Sequence, residues 1–218
     1  MHPPLIFDLD GTLIDSLPGI AASLNYGLEK VRKPRHPEEK VRDFIGNGSY
    51  QLALRALPTG SSEDLAHEVE TQFKSHYQDH WSEGTTIYPG IEELLAKLRK
   101  DKWPLAVLSN KPDAFTRSIV AEMFAPDTFD IVVGQREKLP RKPDPAAVMP
   151  VLACWQAAPE DALFIGDSTV DRETANRSGI PFIGVAWGYH DPADLGPIVA
   201  ENSTELSGIL TEFAVKRS

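Results

Sequence analysis

Short apolar runs recur along the chain, separated by longer stretches in which apolar residues return every three or four positions. The runs at 4–8, 104–110 ("PLAVLSN"), 129–133 ("FDIVV"), 162–167 ("ALFIGD") and 181–185 ("PFIGV") are rich in branched and aromatic side chains. They lack the alternation of a half-solvated strand, so they predict strands of a parallel sheet covered on both faces. Helical patterns fall between them, near 90–101, 113–124, 145–156, 170–178 and 203–214. Such alternation predicts a doubly wound, Rossmann-like α/β core with right-handed crossovers.

The alternation lapses between the first strand and Pro89. Residues 16–86 hold helical patterns only: "GIAASLNYGLEKV", "PEEKVRDFI", "SYQLALRAL" and "EDLAHEVETQFKSHYQDHW". Pro34, Pro37, "GNG" at 46–48 and "PTGSS" at 58–62 punctuate them. The expected organisation is a core of residues 1–15 and 88–218, with a small α-helical cap, 16–87, inserted after the first strand. The insertion enters and leaves beside the end of that strand, so a lid is its expected role. Gly46, Asn47 and Gly48 form either a helix-ending turn or a substrate contact of that lid. Asp15 is expected to cap the first cap helix. His76 and His80 share a helical face, but no Glu follows His76 as in a metalloprotease helix, so a solvated face is expected.

Composition narrows the chemistry. A formal net charge of −10 over 218 residues opposes nonspecific nucleic-acid binding, which needs a basic surface. No apolar run is long enough to span a bilayer, and the N-terminus lacks the pattern of a secretory signal. A single cysteine excludes an intramolecular disulfide framework, which fits a reducing cytoplasm. That residue, Cys154, sits in the apolar pattern "AAVMPVLACW" and reads as a packed, inert thiol. A cytoplasmic protein acting on a small molecule, without nucleic-acid or membrane partners, is the expectation.

Ligands of open parallel sheets bind beyond the carboxyl ends of the strands. There this chain places Asp8-Leu9-Asp10-Gly11-Thr12, then Ser109-Asn110-Lys111, then Gly166-Asp167-Ser168 followed by Asp171. Lys142 stands in "RKPDP" after the third run. Asp8 and Asp10 are about 6.6 Å apart on an extended strand and start on the same face. These acids, joined by Asp167, repel unless a cation bridges them, and Mg²⁺ suits an all-oxygen site that also takes phosphate. Lys142 and Ser109 are suited to the remaining phosphoryl oxygens. One carboxylate can then attack phosphorus, giving an aspartyl-phosphate, while the second protonates the leaving oxygen and later activates water.

In this order, "DLDGT" (8–12), Ser109, Lys142 and "GDSTVD" (166–171) resemble the four motifs of the haloacid dehalogenase-like hydrolase superfamily. The helical insertion is similar to that superfamily's type 1 cap. "IGNGSYQLALRAL", "YPGIEELLAKLRK", "LAVLSNKP" and "GVAWGYHDP" resemble its phosphoglycolate phosphatase branch. The resemblance implies that Asp8 is the nucleophile and Asp10 the acid/base, with Thr12, Ser109, Asn110 and Lys142 binding phosphate. It implies Mg²⁺ held by Asp8, Asp167 and the main-chain carbonyl of Asp10, with Asp171 supporting the metal or orienting Lys142. The implied activity is a phosphomonoesterase acting on a small phosphorylated metabolite, foremost 2-phosphoglycolate. A phosphosugar mutase sharing every core residue is the alternative, followed by a non-catalytic phosphate-binding regulator. A halide-removing enzyme is disfavoured by Asp10. A phosphonate-cleaving one is disfavoured because Lys30, Lys33, Lys40 and Lys74 lack a Schiff-base context.

Overall fold

A computed structural model describes residues 2–215. Along the chain run β1 (Leu5–Phe7), β2 (Ile14–Asp15), α1 (Leu17–Lys30), α2 (Glu38–Arg42), α3 (Ser49–Ala56), α4 (Glu63–His80) and β3 (Thr86–Ile87). There follow α5 (Ile91–Lys100), β4 (Leu105–Pro112), α6 (Asp113–Met123), β5 (Ile131–Gln135), α7 (Met149–Trp155) and β6 (Leu163–Gly166). The chain ends with α8 (Thr169–Ser178), β7 (Phe182–Val185), β8 (Val199–Ala200) and α9 (Ser203–Val215). Two compact units emerge, Met1–Leu13 with Ile87–Ser218, and Ile14–Thr86. The junctions fall slightly earlier than the 15/16 and 87/88 positions expected. β2 and β3 pair as a two-stranded ribbon.

The larger unit is the α/β core. Its six strands lie in the order β5-β4-β1-β6-β7-β8, and each neighbouring pair is parallel. β1 is central, with Leu5, Ile6 and Phe7 fully buried. It pairs Phe7 with Val107 on one side and with Ile165 on the other. One face buries Ile6, Ala106, Leu108 and Phe164 against Val148, Val151 and Ala175. Strand β8 has no counterpart in the expected set, because two residues of "PIVAE" are too few to make a run.

Two expectations need correction here. The helix expected over 145–156 is a 3₁₀ turn, Pro145–Val148, followed by the separate helix α7. Pro150 brings no N–H to a continuing helical ladder, so the turn ends and a new helix begins around it. Cys154 is exposed, not packed. Helix α7 turns Val151 and Leu152 into the core, and Cys154 lies about half a turn beyond Leu152 on the solvent side.

The helical unit is organised by α1 against α4. Gly27 lets the two backbones approach, since a Cβ there would lie 2.9 Å from the Val69 carbonyl oxygen. Ser62 caps α4 by accepting from the Leu65 N–H, and Asp15 accepts from the Leu17 N–H at the start of α1. His76 and His80 stack on each other, with His76 Nδ1 3.0 Å from Ser23 Oγ and His80 Nδ1 2.9 Å from the His76 carbonyl. Both rings therefore pack within the unit.

Glu70 on α4 is buried, accepting from Ser49 Oγ at 2.6 Å and pairing with Lys74 at 2.7 Å. Burial would raise its pKa, but the bonds from Lys74 and Ser49 outweigh this and hold it below the usual glutamate value. A carboxyl depressed by folding stabilises above its unfolded pKa and loses that contribution as pH falls through the folded one. Glu70→Gln should therefore lower stability by about 1–2 kcal/mol at pH 7. In denaturant melts against pH, the deficit should shrink below the unfolded glutamate pKa; a deficit constant down to pH 3 would refute the assignment.

Candidate active site

Strand β1 delivers Asp8, whose N–H donates to the Ile165 carbonyl at 2.9 Å, carrying the β1–β6 ladder one residue past the strand. One residue beyond Ile165, β6 ends in Gly166, and Asp167 follows it. The same two strand ends thus bring both acids together. Gly11 permits the turn: its φ is +81°, and a Cβ there would stand 2.3 Å from Asp167 Oδ2.

Asp171 arrives by a different route. Ser168 is the N-cap of α8, its Oγ accepting from the Asp171 N–H while Asp171 Oδ2 accepts from the Ser168 N–H and Oγ. This capping box turns Asp171 inward against β6. Any Cβ at Gly166 would lie 2.6 Å from Asp171 Cβ, so the strand must be glycine where the acid crosses it.

Lys142 lies 3% exposed among these acids, 2.6 Å from Asp171 Oδ1 and 2.9 Å from Asp8 Oδ1. Its main chain is clamped by Asn110, which accepts from the Lys142 N–H and donates to its carbonyl, both at 2.9 Å. Burial would lower the lysine pKa, but Asp171 and Asp8 more than reverse this. Asp8 is raised well above the usual range, first by burial, then by Asp171 and Asp167, against the opposing pull of Lys142. Burial also raises Asp167, despite the opposing pull of the nearby His190 ring and the bond from the Tyr189 N–H.

The expected site residues therefore separate by what they touch. Asp8, Asp167 and Asp171 converge, each with an atom within 4.8 Å of the others, and Lys142 joins them. Ser109 is buried, its Oγ accepting from the Lys111 N–H at 3.2 Å. Thr12 donates to Asp167 Oδ1 at 3.0 Å, and the Asn110 amide serves the Lys142 main chain. Asp10 points its carboxylate at Lys111, outside the cluster of three. In the helical unit, Gly46 and Gly48 have φ of 114° and 84°, and Asn47 Oδ1 accepts from Arg55 Nη2 at 2.5 Å.

Some of the framework escaped the sequence reading. Asp167 Oδ2 accepts from the Tyr189 N–H at 2.8 Å, with His190 Nδ1 3.8 Å away. Trp187 Nε1 donates to the Thr12 carbonyl at 3.0 Å. The segment "GVAWGYHDP" was the available signal, since Gly188 packs where a Cβ would be 2.2 Å from Asp167 Cβ.

Three buried carboxylates against one buried ammonium leave the cluster short of positive charge. Its donors are all hard oxygens, which fits a small divalent cation. Asp171 accepts from Lys142 on Oδ1 and twice from Ser168 on Oδ2, while Asp167 accepts from Thr12 on Oδ1 and from the Tyr189 N–H on Oδ2. Asp8 takes both of its bonds, from Lys142 and from the Leu9 N–H, on Oδ1. That leaves Oδ2 as its oxygen for new bonds.

This geometry is of the phosphoryl-transfer class, and residues 5–185 match the haloacid dehalogenase-like hydrolase family model. The chain belongs to that family. It is 31% identical to a phosphoglycolate phosphatase from Nitrosococcus oceani over 96% of this chain and 97% of the relative. A phosphoglycolate phosphatase from Cereibacter sphaeroides is 36% identical, over 87% of this chain and 88% of the relative. Among solved structures, a predicted phosphoglycolate phosphatase from Haemophilus somnus 129PT superposes with a TM-score of 0.89 at 29% identity. That likeness covers 95% of this chain and 97% of the other.

Proposed function

We propose that this protein is a Mg²⁺-dependent phosphomonoesterase that hydrolyses 2-phosphoglycolate. The observation that carries the reaction type is the convergence of Asp8, Asp167 and Asp171 on Lys142 at the carboxyl ends of β1 and β6. The substrate assignment rests on the relatives that bear that activity in their names.

Asp8 is the nucleophile. Its Oδ2 forms a bond to phosphorus as the bond from phosphorus to the leaving oxygen breaks, giving an aspartyl-phosphate. Asp10 donates its proton to that oxygen, releasing glycolate, and then takes a proton from the water that attacks phosphorus. Phosphate departs, and Asp8 regains its carboxylate. Lys142 and Ser109 hold the equatorial oxygens, where negative charge accumulates. Asn110 contributes by fixing the Lys142 main chain, Thr12 by orienting Asp167, and Asp171 by holding the lysine ammonium in place. Asp8, Asp167 and the Asp10 carbonyl would hold Mg²⁺, which neutralises phosphoryl charge when bound. Gly46, Asn47 and Gly48 are assigned to substrate choice.

The experiment is a phosphate-release assay with Mg²⁺ across 2-phosphoglycolate, sugar phosphates and nucleoside monophosphates. The expected result is a kcat/KM for 2-phosphoglycolate at least about tenfold above the others, a difference near 1.4 kcal/mol in transition-state binding. Better turnover of a sugar phosphate, or sugar isomerisation without phosphate release, would overturn the reading.

A further inference from the structure

We propose that Lys111 is the residue that positions Asp10 for proton transfer, an assignment that rests on the phosphatase reading above. The Lys111 ammonium donates to both Asp10 oxygens, at 2.7 and 2.8 Å. The pair is secluded, with side-chain exposures of 7% for the lysine and 13% for the acid. A general acid must stand about 2.6–3.2 Å from the oxygen it protonates. Asp10 lies in the turn beyond β1, where its side-chain torsions need an external restraint to meet that tolerance.

Lys111 is built to supply it. Its main chain is anchored at both ends, the N–H donating to Ser109 Oγ at 3.2 Å and the carbonyl accepting from Thr116 Oγ1 at 3.1 Å. Thr116 belongs to α6 and is fully buried. The register between β4 and β5 shifts between Leu108 and Pro112, so Ser109, Asn110 and Lys111 lie where the regular pairing lapses. A lysine that donates to both oxygens of a carboxylate fixes the direction and the plane of that group. Ser109, Asn110 and Lys111 thus divide one strand end among phosphate, Lys142 and Asp10.

The test is a double-substitution cycle read on two esters. Lys111→Met should lower kcat for 2-phosphoglycolate about 100-fold, the scale of a 1 Å misplacement, with KM nearly unchanged. On p-nitrophenyl phosphate, whose leaving group departs without protonation, the loss should stay below about tenfold. Lys111→Arg should recover part of the loss, and circular dichroism melts would establish that each variant folds. Lys111→Met combined with Asp10→Asn should be no slower on 2-phosphoglycolate than Asp10→Asn alone, because the lysine acts through the acid.

Multiplying losses, a raised KM with kcat retained, or equal losses on both esters would each overturn the proposal. A variant that fails to fold in both the Met and Arg forms would also overturn it, by making Lys111 a structural residue. Normal alkyl-ester turnover by Asp10→Asn would instead strike down the acid/base reading on which it rests.

Discussion

Asp8→Asn should abolish phosphatase turnover, by at least about 10⁴-fold, while leaving the protein as stable as before or more so. Both halves follow from the same surroundings. The amide is a poor nucleophile toward phosphorus, so no aspartyl-phosphate forms. Yet the native carboxylate is a liability to the fold: burial, Asp171 and Asp167 all raise its pKa. A carboxyl raised by folding carries a penalty that appears as pH climbs above its unfolded value, so at pH 7 the substitution removes a cost. Lys142 loses one partner but keeps Asp171 at 2.6 Å. In metal-free buffer the melting temperature should therefore hold or rise by a few degrees, a stability gained where function is lost. Residual turnover near the native rate, with contaminating phosphatase and deamidation excluded, would remove Asp8 as nucleophile. A melt lowered by 10 °C would show that the acid cluster stabilises the fold.

Stripping divalent cations with EDTA should remove activity, and Mg²⁺ should restore it. The acid cluster carries three carboxylates against the single ammonium of Lys142, and a dianionic phosphate entering there adds charge of the same sign. Ca²⁺ should fail to substitute, because its longer and looser coordination misplaces Asp8 relative to phosphorus. A readout independent of turnover is available. An ion that binds only the folded state raises the melting temperature by mass action, about 2.7 kcal/mol at a hundredfold excess over its dissociation constant. Asp167→Asn should blunt that rise. Full activity after verified metal removal, or a melt indifferent to Mg²⁺, would refute the metal assignment.

The central strands were legible because burial on both faces leaves unbroken apolar runs, as in Leu5–Phe7 and Leu163–Gly166. The acids were legible because Asp is out of place at the end of such a run, and its offset from the apolar residues needs no tertiary information. β8 and the break at Pro150 were harder, the first for want of length and the second because apolar periodicity continues across a proline. Cys154 misled for a related reason: composition says apolar, but only the rotation of α7 decides which face is inward.

Within the site, pairings between segments distant in sequence had no local signature. Nothing in "SNKP" says that Asn110 reaches the main chain of Lys142, or that Lys111 reaches Asp10, because the partners stand 32 and 101 residues away along the chain. The exception is Ser168 with Asp171, whose spacing of three is a capping-box pattern that a purely local reading can find.

The position of β1 in the sheet also bears on how the protein comes off the ribosome. Leu5 has as partners Leu105 on one side and Leu163 on the other. At synthesis rates of roughly 5–20 residues per second, the first strand spends several seconds without either neighbour. Residues 14–86 emerge in that interval, and their helices make contacts near in sequence, which form fast. Nascent chains halted before β4 should therefore carry a protease-resistant helical segment and an unprotected first strand. Asp8 would be the first of the reacting groups translated and among the last to be built into a site.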